Sequence, residues 1–292
     1  MPMTIEIGTP RLRARIRPRG AELVSLQDAA GRELMWQAGA AWPRHAPMLF
    51  PIVGRLREDT AWFGDTPYTM TQHGFARDLG FTLTGQDAAS VRLALTDSAE
   101  THGIYPFAFR LEVRHAIHGA SFLSEYIVTN TGPGLLPYAI GAHPAFCWPL
   151  PGAGSKQAHR LDFEQEERGP LYRVQPDGML NPTPQEVPLN GRGIGLREEL
   201  FSDGAMVLLD LASRRVRLAA GGAPTLDFGW QGFGQLGLWM KPGCDFLCIE
   251  PWAGHADIAG VETDFWSKPG NTLLPPGEAR CYIWRVTVGE PA

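Results

Sequence analysis

Two short segments carry residue types able to move protons: His143 in Gly141-Ala142-His143-Pro144-Ala145-Phe146, and Glu250 in Phe246-Leu247-Cys248-Ile249-Glu250-Pro251-Trp252. Each directly precedes a proline, whose ring pushes the residue before it into the extended region and locks the next φ. Both side chains are therefore presented from stiff, extended backbone. Each also sits in an apolar and aromatic run. A carboxylate between Ile249 and Trp252 must be paired, hydrogen-bonded or functional, because desolvating it alone is costly. A glutamate ionised at neutral pH and a histidine able to carry a proton supply one base and one acid, the minimum set for general acid–base catalysis. From these residues alone, a buried glutamate satisfied by backbone or arginine explains the pattern about as well.

Other chemistries have weaker footing. Gly232-Phe233-Gly234-Gln235-Leu236-Gly237 matches the dinucleotide fingerprint, but Leu238-Trp239-Met240-Lys241-Pro242 continues as a short strand where a helix N-terminus would have to hold the pyrophosphate. Gly152-Ala153-Gly154-Ser155-Lys156 lacks the residue order of a phosphate loop, and no G-x-S-x-G nucleophile elbow occurs. Among the histidines, His73, His143 and His255 stand at informative places, yet no short-range pair anchors a metal centre. A His/His/Glu site assembled from distant segments is the only metal arrangement left open. The cysteines, Cys147, Cys244, Cys248 and Cys281, have no C-x-x-C spacing and are read as reduced, buried thiols.

The elements that must position these residues are strands. Leu111, Val113, His115 and Ile117 alternate with Glu112 and Arg114; Tyr282, Trp284, Val286 and Val288 share one face; so do Val91, Leu93 and Leu95, and Val216 with Leu218 opposite Arg215 and Arg217. Sustained helical spacing is absent from windows of about 11 residues or more, so long helices are not expected. The stretch 149–195, rich in Pro, Gly and charge, reads as long loops with short strands that cover one end of a site. Arg11, Arg13, Arg15, Arg17 and Arg19 would line one side of a strand, most simply a solvated face that blocks edge pairing.

The 292 residues suit a single domain spanning 1–292, and 34 Gly and 25 Pro spread along the chain suit many turns between short elements. A net charge of −5 offers no attraction to phosphate backbones or anionic lipid, so neither nucleic acid nor membrane is an expected partner. The opening MPMTIEIGTP lacks the basic and apolar regions of a leader, which points to a soluble cytoplasmic protein.

Taken together, several segments resemble the aldose 1-epimerase (mutarotase) family, in the LacX-like branch of the galactose mutarotase-like superfamily. They are Gly20-Ala21-Glu22-Leu23, Phe50-Pro51-Ile52-Val53-Gly54-Arg55-Leu56, Gln72-His73-Gly74-Phe75-Ala76-Arg77-Asp78, Gly141–Phe146, Leu236–Gly243, Phe246–Trp252 with Gly254 and Asp257, and Pro276-Gly277-Glu278. The resemblance runs nearly end to end. It implies an all-β fold, a large antiparallel β-supersandwich with an open sugar cleft, and no metal or organic cofactor. It further implies a small-molecule sugar substrate; the assembly is expected to be a monomer or homodimer.

By motif, His143 is similar to the family's general acid and Glu250 to its general base, expected to face each other across a pocket sized for one pyranose. His73 and Arg55 resemble substrate-orienting residues. Arg77 is similar to an arginine lining the cleft of related hexose-phosphate epimerases, and Asp203 in Leu200-Phe201-Ser202-Asp203-Gly204 is the candidate substrate-binding aspartate. Trp239, Trp252 and Phe75 could offer faces to the sugar, although ordinary core packing accounts for such aromatics more simply. The implied activity interconverts the α and β anomers of a free hexose by ring opening and reclosure. Two other functions share the scaffold. One is a hexose-6-phosphate 1-epimerase, for which Arg55, Arg77 and Lys241 would serve a dianion. The other is a non-catalytic carbohydrate-binding or sensing protein.

Overall fold

A computed structural model describes residues 3–291. Strands dominate, and the longest α-helix among the described residues is the four-residue Ala99–His102. Among the described residues no helix is long and apolar enough to cross a membrane.

Two large sheets set the architecture. The nine-stranded sheet runs in the order Gly193–Gly195, Arg160–Phe163, Arg215–Ala219, Pro224–Gln231, Ala279–Pro291, Ser121–Asn130, Phe109–His118, Ser90–Thr96 and Thr82–Gln86. The seven-stranded sheet runs Leu171–Arg173, Met206–Leu208, Gln235–Trp239, Phe246–Ala253, Ile140–Ala142 and Met48–Leu49, with Ala145–Cys147 also paired to Phe246–Ala253. Pairing within both is antiparallel. A three-stranded sheet of Ile5–Gly8, Leu12–Arg17 and Glu22–Asp28 adds to this frame. The alternation expected from the sequence is present: Leu111, Val113, His115 and Ile117 are all buried, and so are Tyr282, Trp284 and Val286.

The large sheets meet at an apolar core in which residues of both belong to one cluster. Phe146 from the seven-stranded sheet stands edge-on to Phe228 of the nine-stranded sheet at 5.8 Å between ring centres, a favoured aromatic geometry. Successive residues of a strand face opposite ways, so a strand covered on both sides loses its polar face. Phe246–Ala253 is such a strand, buried at all eight positions, which is why no period-two pattern marks it in the sequence.

Two sequence expectations resolve here. Gly232–Gly234 joins strand Pro224–Gln231 to strand Gln235–Trp239, so the glycine motif is a turn between strands. Within Leu12–Arg17, Leu12, Ala14 and Ile16 are buried while Arg13 and Arg15 are exposed, the solvated face expected of the arginine alternation.

Candidate active site

His143 and Glu250 are cross-strand partners. Gly141 pairs with Trp252 and Ala145 with Cys248, and the same antiparallel register sets His143 opposite Glu250. His143-Pro144 interrupts the strand between Ile140–Ala142 and Ala145–Cys147, while Pro144 still accepts a hydrogen bond from the Ile249 N–H at 3.2 Å. Nε2 of His143 lies 3.1 Å from Oε2 of Glu250, both side chains almost wholly buried. The expectation that they face each other across the pocket is corrected: they touch, side by side on one wall. Strand pairing causes this, because directly opposed residues on one face of a sheet stand within side-chain reach.

Burial raises the Glu250 carboxyl well above its ordinary range and lowers the His143 imidazole. Dehydration thus favours the uncharged pair, and one proton moving along the contact converts it to an ion pair of the same net charge.

His73 stands beside this pair, its ring centre 5.7 Å from that of His143 and nearly perpendicular to it. It is anchored twice on one residue: its N–H donates to the Gly54 carbonyl at 2.8 Å, and the Gly54 N–H donates to its Nδ1 at 3.0 Å. Because Nδ1 accepts, the neutral ring carries its proton on Nε2. Burial, then the nearby His143, Arg77 and Arg44, hold His73 well below the usual histidine range. Its φ of 69° lies in the left-handed region, which a non-glycine residue occupies at a cost of about 1–2 kcal/mol. Gly74 follows at φ 69° with its α-carbon against the Phe50 carbonyl, where no side chain fits.

These residues line a cleft of about 890 Å³, together with Arg55, Arg77, Asp203, Trp239 and Trp252. That volume lies at the upper end of the roughly 300–1,000 Å³ of small-molecule sites, larger than the one-pyranose pocket expected. Further lining comes from Arg173–Gly178 with Leu180, Asn181 and Gln185, from the segment expected to cover one end of the site. Trp252 is 4% exposed and sits between Gly141 and Gly237, either of which would put a Cβ within 2.7 Å of its ring. Those glycines let a large indole lie flat beside Glu250.

The basic residues differ in availability. Arg55 Nε and Nη2 donate to the two carboxylate oxygens of Asp59 at 2.8 and 2.7 Å, and Nη1 donates to the Asp177 carbonyl at 2.9 Å. Arg77 Nη2 donates to the Gln72 carbonyl at 2.6 Å, and burial lowers this guanidinium to about 10. Lys241 does not line the cleft; its Nζ donates to the Ala41 carbonyl at 2.6 Å. Phe75 is also outside, packed on Phe50 and Phe109 in the core. His255 is buried off the cleft and donates from Nδ1 to the Ala256 carbonyl at 2.7 Å.

A buried ion pair fixes the loop behind Arg55. Asp257 accepts from Lys268 Nζ at 2.5 Å and from the Arg57 N–H at 2.8 Å. Its own N–H donates to the Arg55 carbonyl at 2.9 Å, and its carbonyl accepts from the Leu180 N–H at 2.8 Å. One residue thereby ties the Gly54–Arg57 loop to the Leu180 segment of the cleft lining.

Sequence reasoning missed Trp42, which stacks on His143 at 5.2 Å and 29° and meets Trp239 edge-on at 5.5 Å. It also missed Gln72, Arg173, Asn181 and Gln185. Gln72 adjoins His73 within a quoted segment and was within reach; Arg173 could be found only once the loops were folded. Among possible metal ligands, His143, Cys248 and Glu250 each offer an atom within 4.8 Å of the others.

The two-sheet frame and its cleft define a galactose mutarotase-like β-supersandwich. The chain superposes on the galactose mutarotase related enzyme from Lactobacillus acidophilus with a TM-score of 0.93, at 28% identity over 99% of this chain and 98% of that one. On a galactose mutarotase-like protein from Lactobacillus casei ATCC 334 the TM-score is 0.90, at 31% identity over 98% and 100%. Residues 3–267 match the family described as aldose 1-epimerase. Protein LacX (chromosomal) of Lactococcus lactis subsp. lactis is 34% identical over 98% of this chain and 99% of its own length. The chain belongs to the aldose 1-epimerase family, a family of isomerases.

Proposed function

We propose that the protein interconverts the α and β anomers of a free hexose, with Glu250 as base and His143 as acid. The observation that carries this is the 3.1 Å contact between the two groups on the wall of an open cleft. In its charge-separated form the pair holds a carboxylate and an imidazolium. Glu250 takes the proton of the anomeric hydroxyl while His143 gives one to the ring oxygen. The C1–O5 bond breaks, the aldehyde rotates, and reversal of both transfers closes the ring on its other face. Hydroxyls of the sugar entering between the groups replace their contact and favour the charged form that burial alone disfavours. His73 Nε2–H and Arg77 donate to sugar oxygens, Asp203 accepts from hydroxyls, and Trp42, Trp239 and Trp252 give apolar faces to the ring.

A free sugar suits the cleft better than a phosphorylated one. Arg55 is neutralised by both oxygens of Asp59 and Lys241 is held outside, which leaves Arg77 and Arg173 as the cleft's cations for a dianion, each already donating to a backbone carbonyl. Exchange NMR on a panel of free and phosphorylated aldoses tests this. Accelerated anomer exchange of a free hexose, with no competition from its 6-phosphate, is expected. Acceleration of the phosphate alone would reverse the preference, and acceleration of neither would leave only sugar binding.

A further inference from the structure

Cys248 has no part in the proton transfers, yet it lies two residues before Glu250 on the same face of strand Phe246–Ala253. Its sulfur, a ring nitrogen of His143 and a carboxylate oxygen of Glu250 lie within 4.8 Å of one another, and all three residues are buried. Cys248 and Glu250 stand on one strand, and His143 is held between two short segments that both pair with it. We propose that these three side chains form a site for a thiophilic divalent cation of the zinc type, whose occupancy excludes the sugar; the exclusion, though not the site, rests on the function proposed above.

The donor set fits. Zinc takes nitrogen, sulfur and oxygen ligands at about 2.0–2.3 Å, which puts tetrahedral donors roughly 3.3–3.7 Å apart. The His143–Glu250 separation of 3.1 Å is already close to this, and side-chain torsions bring the sulfur in. His143 and Glu250 line the cleft, so the ion enters from there and the cleft supplies its fourth ligand, while Cys248 lies deepest. Charge balances as well. A thiolate and a carboxylate neutralise a dication, which allows it to be held where an unpaired charge could not. Two protons leave on binding: one from the thiol, and one from the His143–Glu250 pair, which keeps a neutral imidazole and a bare carboxylate. Magnesium, which demands octahedral oxygen ligands, does not fit this set.

The test uses the full-length protein and cadmium chloride as a spectroscopic stand-in for zinc. Wild type should show one equivalent of the ultraviolet cadmium–thiolate charge-transfer band. That equivalent should be lost in Cys248→Ala and in Cys248→Ser, the second variant guarding against a packing defect, while Cys147, Cys244 and Cys281 remain as controls. In polarimetry, zinc chloride should inhibit competitively with the sugar, chelator should reverse it, and magnesium chloride should have no effect. Either substitution should weaken zinc inhibition at least about 10-fold, with metal-free turnover kept. A cadmium band that persists in both variants, no band in wild type, or equal zinc inhibition in all three proteins would overturn the proposal. If the band behaves as expected but no aldose is turned over, the metal site stands and the epimerase reading falls.

Discussion

His143 and Glu250 touch because two strands of the seven-stranded sheet pair in a register that sets one opposite the other, with 3.1 Å between Nε2 and Oε2. Distance along the chain is irrelevant to that contact. Glu250 takes the rigidity of its strand, and His143 is held by the two short segments that pair with that strand on either side of it. Catalytic groups held this way lose little further freedom on reaching the transition state.

Replacing the imidazole by the shorter asparagine amide removes the titratable nitrogen that meets Glu250 and keeps a polar group only at the Nδ1 position. His143→Asn should lower kcat by about 10²–10⁴-fold, read by polarimetry at saturating sugar. A change below threefold would remove His143 from the acid's role.

His73 separates anchoring from substrate contact. In His73→Asn the shorter amide oxygen can still accept from the Gly54 N–H, and asparagine tolerates the left-handed φ. Only the donor at Nε2 is lost. KM should rise about 2–10-fold, the weight of one hydrogen bond, with the melting temperature held. An unchanged KM would mean that His73 serves the loop and not the sugar.

The Asp257–Lys268 pair is buried, and removing one partner strands the other charge. Asp257→Ala should cost about 3–5 kcal/mol in urea unfolding. Activity should fall too, since the Arg55 loop and the Leu180 segment of the cleft lining meet at this residue. Full stability in the variant would show that the pair is not what holds this loop.

Acid stability follows from a histidine far from the cleft. His115 is buried with Nε2 on the Ala21 carbonyl at 2.8 Å, and burial lowers it from 6.5 to about 4. Below pH 6.5 the unfolded chain takes up a proton that the fold refuses, so stability present above that pH is lost as the pH falls toward 4. His115→Gln should narrow the stability gap between pH 7 and pH 4 by about 3 kcal/mol. Denaturant midpoints that fall equally on acidification in variant and wild type would contradict this.

How far the sequence spoke depended on whether a signal was local. Half-buried strands such as Phe109–His118 announce themselves by alternation, because one face meets water. Strand Phe246–Ala253 is hidden on both faces and showed only as an apolar run around a glutamate. His143 and Glu250 stood out through their proline and aromatic neighbours, while His73 was singled out by the family resemblance of its segment. The direct contact of the first two was not legible, since register is set by pairing that no short segment encodes. Lys241 was misplaced because a residue's neighbours in sequence do not say which side of a strand end it leaves from, whereas Phe75 lies in the core, as the simpler reading of its aromatic ring expected. Trp42 left no local sign, its stacking on His143 arising only from tertiary packing.

The central claim is that the Glu250 carboxylate takes the anomeric proton. Exchange NMR of the α and β signals of a free hexose, with wild type and Glu250→Gln at equal concentration, tests it most directly. Enzyme-driven exchange should be present in wild type and absent in the variant, with matching melting curves for the two proteins. Equal exchange rates in both would contradict the claim.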